Sequence, residues 1–247
     1  MIVTAVKTHK VTIGEDIFAI LDRYLLNLQE KDVVIVTSKI VSICQGQVVK
    51  NDGSIDKNEL IRKEAQFYID KPLSRYYVML TIKDNILIAS SGIDESNGNG
   101  YFVLWPKNIH QITADIWKHL RITHKINKIG VMVTDTRATP LRWGTIGVGL
   151  SWCGFEPLKN YIGEPDIYGK KLRMTKASVI DGLAASADLI MGQGDEQTPL
   201  AVIRDVSFVQ FLEKPPTEKE IEDLKINPRD DLFSPLTDTP KWKKGKK

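Results

Sequence analysis

The spacing of hydrophobic positions changes repeatedly along the chain between the period of a helix and the period of a strand. Apolar residues at helical spacing predict helices over 15–28, 56–68, 109–124, 175–191 and 217–224. Short apolar runs rich in β-branched residues predict strands over 2–11, 33–36, 77–81, 86–90, 129–135 and 200–203. Neither an internal repeat nor a domain linker interrupts this order. We therefore expect an α+β fold with mixed sheets and flanking helices.

Local signals mark several element boundaries. Asp56, followed by Glu59 three residues later, is typical of a helix N-terminus with a capping box. Gly192 follows the last apolar position of the fourth helix and is a predicted C-cap. The segment 83–85, Lys-Asp-Asn, separates two strand-like runs and predicts a hairpin turn.

The stretch from Ile129 to Leu150 carries the most distinctive pattern. A buried strand is predicted to stop at Asp135 and Thr136, which places a carboxylate and a hydroxyl at a strand end. Pro140, Arg142 and three glycines follow, and they supply a fixed positive charge and backbone freedom beside those oxygens. This combination suits a phosphate with its metal ion. The alternative is structural only: a strand, a turn and a second strand that contains glycine.

Polar clusters also fall at the ends of three other predicted elements. They are Ser38-Lys39, the segment 94–97 and the segment 192–195. If Asp94 and Asp135 converge, two carboxylates about 4 Å apart would repel by roughly 4 kcal/mol at an effective dielectric constant near 20. A hard divalent cation such as Mg²⁺ or Mn²⁺, bound through carboxylates and nucleotide phosphates, would relieve that repulsion.

Composition and charge exclude other classes of function. Of all residues 42% are hydrophobic, which is enough for a sizeable core, and the formal net charge is only +3. Part of that charge comes from the basic segment 240–247, so the remaining chain is nearly neutral. Because a basic stripe with interleaved aromatic residues is missing from the sequence, we expect no nucleic-acid partner.

Cysteine usage and hydropathy favour a reducing compartment. Cys44 and Cys153 are far apart and lack the spacing of metal ligands, so they are predicted to be reduced thiols. No apolar run approaches the ~20 residues that cross a bilayer, and the first ten residues lack the apolar core of a signal peptide. The sequence therefore predicts a cytoplasmic protein with no membrane partner.

Common cofactor motifs are not found in the sequence. No P-loop pattern occurs, and the segment 144–149, Gly-Thr-Ile-Gly-Val-Gly, does not match the dinucleotide fingerprint. The four histidines, at positions 9, 110, 119 and 124, show no zinc spacing. His9 is the histidine of interest, because it lies towards the end of the first predicted strand.

Several motifs together resemble the coenzyme F-420 γ-glutamyl ligase family. The matching segments, in the family's order and spacing, are Gly-Ile-Asp-Glu-Ser-Asn at 92–97, Thr-Asp-Thr at 134–136, Arg142-x-Gly144, Gly147, Asp-Ile-Tyr-Gly-Lys-Lys-Leu at 166–172 and Ala-Ala-Ser-Ala-Asp-Leu-Ile-Met-Gly at 184–192. The resemblance extends from about Val3 to Asp205. It implies a ligase-like domain over 1–212, and the polar segment 213–247 is predicted as a partly disordered tail.

The resemblance implies an activity and an assembly. Members of the family use a nucleoside triphosphate, GTP or ATP, and a divalent metal, Mg²⁺ or Mn²⁺. They join L-glutamate to an acceptor through a γ-linked amide, by way of an acyl phosphate. The family also implies an unusual α+β fold and an intertwined homodimer.

The resemblance further implies roles for individual residues. Asp94 and Asp135 would hold one metal ion, while Thr136 and Gln193 would belong to a second. The residues predicted to contact the nucleotide are His9, Lys10, Ser38, Lys39, Asn97, Met191, Gly192, Gln193, Gly194 and Asp195. Arg142, with Lys170, Lys171 or Arg173, is predicted to hold substrate carboxylates, because a guanidinium can grip a carboxylate with two hydrogen bonds.

Departures from the family pattern bear on the acceptor. The usual Asp-Thr-x-Gly-Arg is here Asp-Thr-Arg-Ala-Thr at 135–139, and Ser-Lys-Ala-Glu-Gly is Ser-Ile-Cys-Gln-Gly at 42–46. The segments 139–147 and 152–157 resemble a bacterial branch of the family that is assigned to folate metabolism. Our first hypothesis is therefore a tetrahydrofolate γ-glutamyl ligase. The alternatives are a ligase of the deazaflavin precursor F-420-0 and a non-catalytic homologue that binds metal or nucleotide.

Aromatic residues in these segments have two possible roles. Trp143, Trp152 or Phe155 could stack on the flat heterocycle of either acceptor, or they could be core residues. The sequence alone does not choose between the two.

Overall fold

The computed structural model describes residues 1–71, 75–237 and 242–245. The strands are β1 (Ile2–Val6), β2 (Val33–Thr37), β3 (Val48–Lys50), β4 (Phe67–Ile69), β5 (Leu80–Lys83), β6 (Ile86–Ala89), β7 (Tyr101–Val103), β8 (Gly130–Ala138), β9 (Thr145–Cys153), β10 (Leu158–Asn160), β11 (Lys176–Ser178), β12 (Leu200–Arg204) and β13 (Lys243–Lys244). The helices are α1 (Ile17–Tyr24), α2 (Ser38–Cys44), α3 (Lys57–Glu64), α4 (Ile109–His124), α5 (Val179–Met191), α6 (Glu218–Leu224) and α7 (Ser234–Thr237). Helices and strands alternate irregularly, and the α+β class predicted from the sequence is confirmed.

A five-stranded mixed sheet forms the centre of the molecule. Its strand order is β1-β12-β2-β8-β9. Strands β2 and β8 run parallel, while the other neighbouring pairs are antiparallel. The sheet is covered on both sides, because consecutive residues of β2 alternate between two apolar clusters and Val33–Val36 are fully buried.

Different helices cover the two faces of the central sheet. Helix α5 packs against the face that carries Val33 and Ile35, and helices α1, α2 and α4 cover the face that carries Val34 and Val36. Gly147 of β9 allows α5 to come close, because a Cβ built on Gly147 would overlap the backbone carbonyl of Ala184. Helix α5, which is rich in small residues, can therefore pack closely against the glycine-containing strand β9.

A second sheet, ordered β13-β4-β5-β6, packs beside helix α3. Its β5–β6 hairpin turns at Asp84 and Asn85, which both have positive φ, as a tight turn with the strand twist requires. Two further pairs, β3 with β7 and β10 with β11, complete the pairing. The β10–β11 pair forms an arm that carries the segment 161–175 at its tip.

Long periodic elements match the sequence-based expectations closely. Helix α4 has the predicted bounds, and α6 begins behind a Thr217–Glu220 capping box. Asp56 caps α3 by accepting a hydrogen bond from the Asn58 amide, and Gly192 is the C-cap of α5 with φ of +80°. The predicted hairpin at 83–85 is also present.

Several predicted boundaries were wrong. Helix α3 stops at Glu64 rather than at residue 68, because the following aromatic residues pair with β5 as strand β4. Strand β1 ends at Val6 instead of residue 11, α1 is shorter than 15–28, and residues 176–178 form β11 rather than the first turn of α5. Helix α2 was missed: it is short, and its preceding residue Thr37 makes no side-chain cap.

Strand β8 also differs from its prediction, with consequences for the site. It does not stop at Asp135 but continues to Ala138, because β9 pairs with it along that whole length. The segment 129–150 is therefore a long hairpin, with Asp135 and Thr136 inside its first strand rather than at a strand end. Its buried half is confirmed, since Val131, Met132 and Val133 are fully buried.

The described part of segment 213–247 contacts the rest of the molecule at two places. Ile221 and Leu224 of α6 pack against the apolar cluster beneath α5. Farther on, Lys243 and Lys244 pair with Tyr68 and Phe67 of β4. The division into a domain at 1–212 and a tail stays a prediction. Among the described helices, none is long and apolar enough to span a bilayer.

Candidate functional site

The parallel pair β2 and β8 opens a cleft at its carboxyl end. Thr37, the last residue of β2, lies opposite Thr134, and β8 then continues alone on that side from Asp135 to Ala138. The resulting cleft has a volume of about 730 Å³. Its lining comes from the segments 8–12, 37–43, 94–99, 134–136 and 188–199.

Nearly all residues singled out from the sequence meet in this cleft. Its lining includes His9, Lys10, Ser38, Lys39, Asp94, Asn97, Asp135, Thr136, Met191, Gly192, Gln193, Gly194 and Asp195. These residues come from five separate parts of the chain. Their convergence supports the predicted site, although their individual roles stay predictions.

Asp94 is held in place by its own loop and by a lysine. Its backbone exchanges two hydrogen bonds with Val103, and its side chain accepts from the Ser96 amide at 2.8 Å. Lys39 Nζ lies 2.7 Å from Asp94 Oδ2 and also donates to the Ser96 carbonyl. Burial alone would raise the pKa of Asp94, but the Lys39 ammonium and the Ser96 donors outweigh burial and hold that pKa below its usual range.

Asp135 has a different electrostatic environment. Its Oδ1 accepts the Thr136 amide at 2.8 Å, and its Oδ2 accepts the indole N–H of Trp105. Burial raises the pKa of Asp135 to about 6, and the nearby charge of Asp94 acts in the same direction. The two hydrogen bonds offset only part of that cost. This carboxylate therefore has a negative charge that neighbouring side chains do not fully compensate.

Thr136 points to the opposite side of β8. Its partner across the hairpin is Gly147, which packs against α5, whereas Asp135 shares its side with Trp105. On the α5 side, the Gln193 amide donates to the carboxylate of Asp188, whose pKa is raised by burial. The side chains of Asp135 and Thr136 can thus serve two separate positions in the cleft.

The loop after α5 forms another wall. Gly192 has φ of +80°, and a Cβ there would overlap the Glu196 carboxylate. That carboxylate accepts the Gly194 amide at 2.8 Å, while the Asn97 side chain donates to the Gly194 carbonyl at 2.9 Å. Asn97 therefore ties the loop that carries Asp94 to the loop after α5.

The rim formed by the first loop is fixed through His9. Its Nε2 lies 2.7 Å from Glu15 Oε2, and its Nδ1 lies 2.9 Å from the Tyr24 hydroxyl. Glu15 also accepts from the Thr12 amide and hydroxyl. These hydrogen bonds from Thr12, followed by His9, lower the pKa of Glu15 to about 2. Both imidazole nitrogens are used, so His9 shapes the loop backbone as well as lining the cleft.

The oxygen atoms in the cleft suit a divalent cation that also binds ligands from outside the protein, such as phosphate and water. Within the described ranges, no group of three or more His, Cys, Asp or Glu side chains could enclose a metal ion. Asp94 and Asp135 are two carboxylates close enough to influence each other's charge, and Thr136 and Gln193 add neutral oxygens to the cleft. A cation such as Mg²⁺, which takes one or two carboxylates and completes its shell with phosphate and water, matches this set.

Some candidates lie away from the cleft. Arg142 is exposed in the turn of the β8–β9 hairpin and does not line the cleft. Lys170, Lys171 and Arg173 lie together at the tip of the β10–β11 arm, also outside it. A role for any of these four in binding carboxylates stays a prediction. None of them reaches the cleft within this one chain.

The aromatic candidates divide by burial. Trp152 and Phe155 are 2% and 0% exposed and belong to the core beneath α5, so the core interpretation holds for both. Trp143 is 92% exposed at the tip of the hairpin. Only Trp143 is free to contact a ligand or another chain.

Sequence analysis missed two residues that contact the candidate metal ligands. Trp105 lies 30 positions before its partner Asp135, and the sequence gives no sign that the two meet. Asp188 is one of two acids in α5, together with Asp181, and it lies one turn before Gly192. A charged residue in the otherwise small and apolar second half of that helix is the signal that could have identified Asp188.

Such a cleft, with paired carboxylates, a lysine and a glycine-containing loop, is typical of enzymes that bind a nucleoside triphosphate with a divalent cation. The family model described as F420-0:Gamma-glutamyl ligase matches residues 5–205. This match covers most of the chain, and the chain belongs to that family. It is therefore a γ-glutamyl ligase.

Individual relatives agree with the family match. The chain is 32% identical over 214 residues to a protein named Coenzyme F420:L-glutamate ligase from Methanococcus maripaludis, a match that covers 80% of this chain and 86% of the relative. It is 32% identical over 209 residues to a protein of that name from Methanosarcina barkeri, covering 79% and 81%. A third, from Methanocaldococcus jannaschii, is 27% identical over 192 residues, covering 72% and 76%.

Proposed function

We propose that this chain adds L-glutamate to a deazaflavin acceptor of the F420-0 type through a γ-linked amide, using a nucleoside triphosphate, GTP or ATP, and Mg²⁺ or Mn²⁺. The observation that carries the proposal is the convergence of Asp94 and Asp135, from separate loops and strands, on one cleft. Two partly buried carboxylates in electrostatic contact need a positive partner, and a metal–nucleotide complex supplies one.

The names of the relatives favour the deazaflavin acceptor over folate. Those reported above are all named for coenzyme F420, whereas the folate hypothesis rests on sequence departures in the segments 135–147 and 152–157. The structure weakens that argument for the second segment, because Trp152 and Phe155 are core residues. Tetrahydrofolate therefore becomes the comparison substrate in the test below.

The residues of the cleft suit transfer through an acyl phosphate. An oxygen of the acceptor carboxylate attacks the γ-phosphorus, and the nucleoside diphosphate leaves. The amine of glutamate then attacks the acyl carbon, phosphate leaves, and the amine nitrogen loses a proton. A divalent cation, when bound, neutralises phosphoryl oxygens during this sequence. Asp94 and Asp135 would hold that cation, and Lys39 would keep a positive charge beside the phosphates.

The loop after α5 and the first loop would position the nucleotide. The segment 192–195 forms one wall of the cleft, and Asn97 fixes that wall by its bond to Gly194. His9 and Lys10 lie on the rim opposite. Because positioning supplies much of the rate in phosphoryl transfer, these supporting bonds contribute to turnover as well as to affinity.

The active form would be a homodimer. Leu141 and Trp143, at the tip of the β8–β9 hairpin, are 104% and 92% exposed. Ile167, Tyr168 and Met174, on the β10–β11 arm, are also strongly exposed. Large apolar side chains clustered on two protruding hairpins are typical of an interface, and a second copy that covers them would bury this surface.

Mass spectrometry of reaction products tests the proposal. Purified protein is incubated with L-glutamate, Mg²⁺ or Mn²⁺, GTP or ATP, and either the deazaflavin acceptor or tetrahydrofolate. We expect a glutamyl mass gain on the deazaflavin that requires both metal and nucleotide. A glutamyl mass gain on tetrahydrofolate alone would contradict the proposal and identify folate as the acceptor.

The variant Asp135→Asn serves as the catalytic control in the same assay. We expect it to remove the product while the protein still folds. If neither acceptor gains mass and the wild-type protein still binds a nucleotide, the chain is a binding homologue rather than a ligase of these substrates.

A further inference from the structure

The indole of Trp105 makes a direct contact with one of the two candidate metal-binding carboxylates. Trp105 follows strand β7 and is only 5% exposed, packed with Ile88, Val148 and Leu150. Its N–H donates to Oδ2 of Asp135. The ring itself does not line the cleft, so Trp105 can act on a ligand there only through Asp135.

Two neighbours fix the orientation of the Trp105 ring. Gly92 lies against the indole nitrogen with φ of +68°, and a Cβ at this position would overlap the ring. Lys83 Nζ lies 5.3 Å from the ring centroid and 2.8 Å from Oε2 of Glu64. Lys83 is itself buried, at 9% exposure, so its cation acts on the ring in a poorly solvated environment. The indole N–H is thus a fixed donor.

The fixed donor determines which way the Asp135 carboxylate turns. Oδ2 is bound to the indole and Oδ1 to the Thr136 amide, so rotation of the carboxylate would break two hydrogen bonds. Both donors also stabilise the charged carboxylate, which burial disfavours. Each oxygen has a second lone pair that a cation can use, and Asp135 lines the cleft.

We propose that Trp105 is a positioning residue that orients Asp135 for binding a divalent cation. This inference rests on the proposed function, in which Asp135 is a metal ligand. Donors that hold a metal-binding side chain are worth ten- to a hundredfold in metal affinity in well-studied sites. Trp105 contacts neither substrate nor nucleotide in this arrangement, so its removal acts on the metal.

Trp117 provides a matched control. It is 4% exposed, its indole N–H donates at 2.8 Å to the Ile129 carbonyl, and Arg121 lies 4.4 Å from its ring centroid. Its burial, its hydrogen bond and its cation contact therefore parallel those of Trp105. Its partner, however, is a backbone carbonyl outside the cleft.

The experiment compares Trp105→Phe with Trp117→Phe. Mn²⁺ binding is measured by electron paramagnetic resonance of free Mn²⁺, without nucleotide. We expect Trp105→Phe to raise the dissociation constant for Mn²⁺ about tenfold or more. Trp117→Phe should leave that constant within about twofold of wild type. In the ligation assay, Trp105→Phe should raise the Mn²⁺ concentration for half-maximal rate and keep most of kcat at saturating Mn²⁺. Equal Mn²⁺ affinity in the two variants would overturn the proposal.

The outcomes separate this inference from the proposed function. Normal ligation with unchanged Mn²⁺ binding in Trp105→Phe would leave the function standing and remove the positioning role. If the wild-type protein itself binds no Mn²⁺, the metal-binding part of the proposed function fails and the positioning role fails with it.

A measurement on the wild-type protein covers the case in which Trp105→Phe folds poorly. The protein is labelled with ¹⁵N-tryptophan and titrated with Mg²⁺. One indole N–H resonance should shift, and the same shift should persist in each of the variants Trp117→Phe, Trp143→Phe, Trp152→Phe and Trp242→Phe, which leaves Trp105 as its source. If Mg²⁺ shifts no indole N–H resonance in those variants, the proposal is overturned.

Discussion

Thr37 lies opposite Thr134 in the parallel ladder and is the last residue of β2, so Asp135 is the first residue of β8 beyond that ladder. Strand β8 reaches past its neighbour by the four residues up to Ala138. Because side chains alternate along a strand, Asp135 and Thr136 point to opposite faces of this extension, and both line the cleft. The candidate site therefore arises from a difference in length between two adjacent strands.

Asp94→Asn should lower kcat of the ligation by at least about a hundredfold, because a neutral amide binds a divalent cation far more weakly than a carboxylate does. The matched control is Glu95→Gln. Glu95 is the next residue, is paired with Lys57, and does not line the cleft. Steady-state kinetics should give a rate within about twofold of wild type for Glu95→Gln. Similar losses in both variants would argue against a specific role for Asp94.

Gly147→Ala should destabilise the protein by about 2 kcal/mol, because its Cβ would overlap the Ala184 carbonyl and push α5 away from the sheet. The control is Gly182→Ala, which changes a glycine of helix α5 itself. No atom lies within 4 Å of a Cβ built there, so alanine should raise the free energy of unfolding by about 1 kcal/mol through helix propensity. Urea unfolding measures both. A stabilising Gly147→Ala would mean that α5 packs less closely than the structure indicates.

Glu15 should make stability dependent on pH in the acid range. Its pKa is lowered to about 2, first by the hydrogen bonds of Thr12 and then by His9. A group with a depressed native pKa stabilises the fold above its unfolded pKa, here near 4.5, and loses that contribution as pH falls towards 2. The Tm difference between wild type and Glu15→Gln should therefore be largest above pH 5 and shrink towards pH 2.

Thr12→Val tests the stated cause, because it removes the hydroxyl donor and leaves the amide bond to Glu15. The Tm of Thr12→Val should lie below that of wild type at neutral pH, by less than the Tm of Glu15→Gln does. This difference should also shrink as pH falls towards 2. Curves for Glu15→Gln and wild type that stay parallel from pH 7 to pH 2 would contradict the assignment.

Leu141→Ser combined with Trp143→Ser should weaken self-association. Both side chains are exposed at the hairpin tip, so neither loses core packing in the single chain. Light scattering after size-exclusion chromatography should give a dimer mass for wild type and a shift towards monomer for the double variant. Leu26, which is 68% exposed and lies outside both hairpins, supplies the control Leu26→Ser. A dimer that is unaffected by the hairpin changes would place the interface elsewhere.

Elements with their own local signals could be predicted from the sequence. Helix α3 has Asp56 as a cap, and α4 has a long apolar period, so each was found where it begins. Helix α2 could not be found in this way, because Ser38–Cys44 is short and rich in β-branched residues. It is held by packing of Ile40 and Val41 into the core, and such packing has no local signature.

The sequence identified the segments that form the site but not their arrangement in space. Ser38, Asp94 and Asp135 could each be recognised as polar residues at predicted element ends, although β8 continues past Asp135. The bond from Trp105 to Asp135 depends on the position of the segment after β7 relative to β8, which no spacing in the sequence encodes. Arg142 shows the same limit, because Asp135 and Thr136 of its hairpin line the cleft while the exposed turn that carries Arg142 does not.

The pairing of Lys243 and Lys244 with β4 has a consequence for solubility. Without that pairing, β4 would be the edge of its sheet, with free backbone donors and acceptors beside the partly exposed Phe67. Open edges are templates for strand addition by other chains, and lysines on the outermost strand discourage it through charge repulsion. Lys243 and Lys244 therefore cover the β4 edge with positive charge, which would oppose the addition of a strand from another chain.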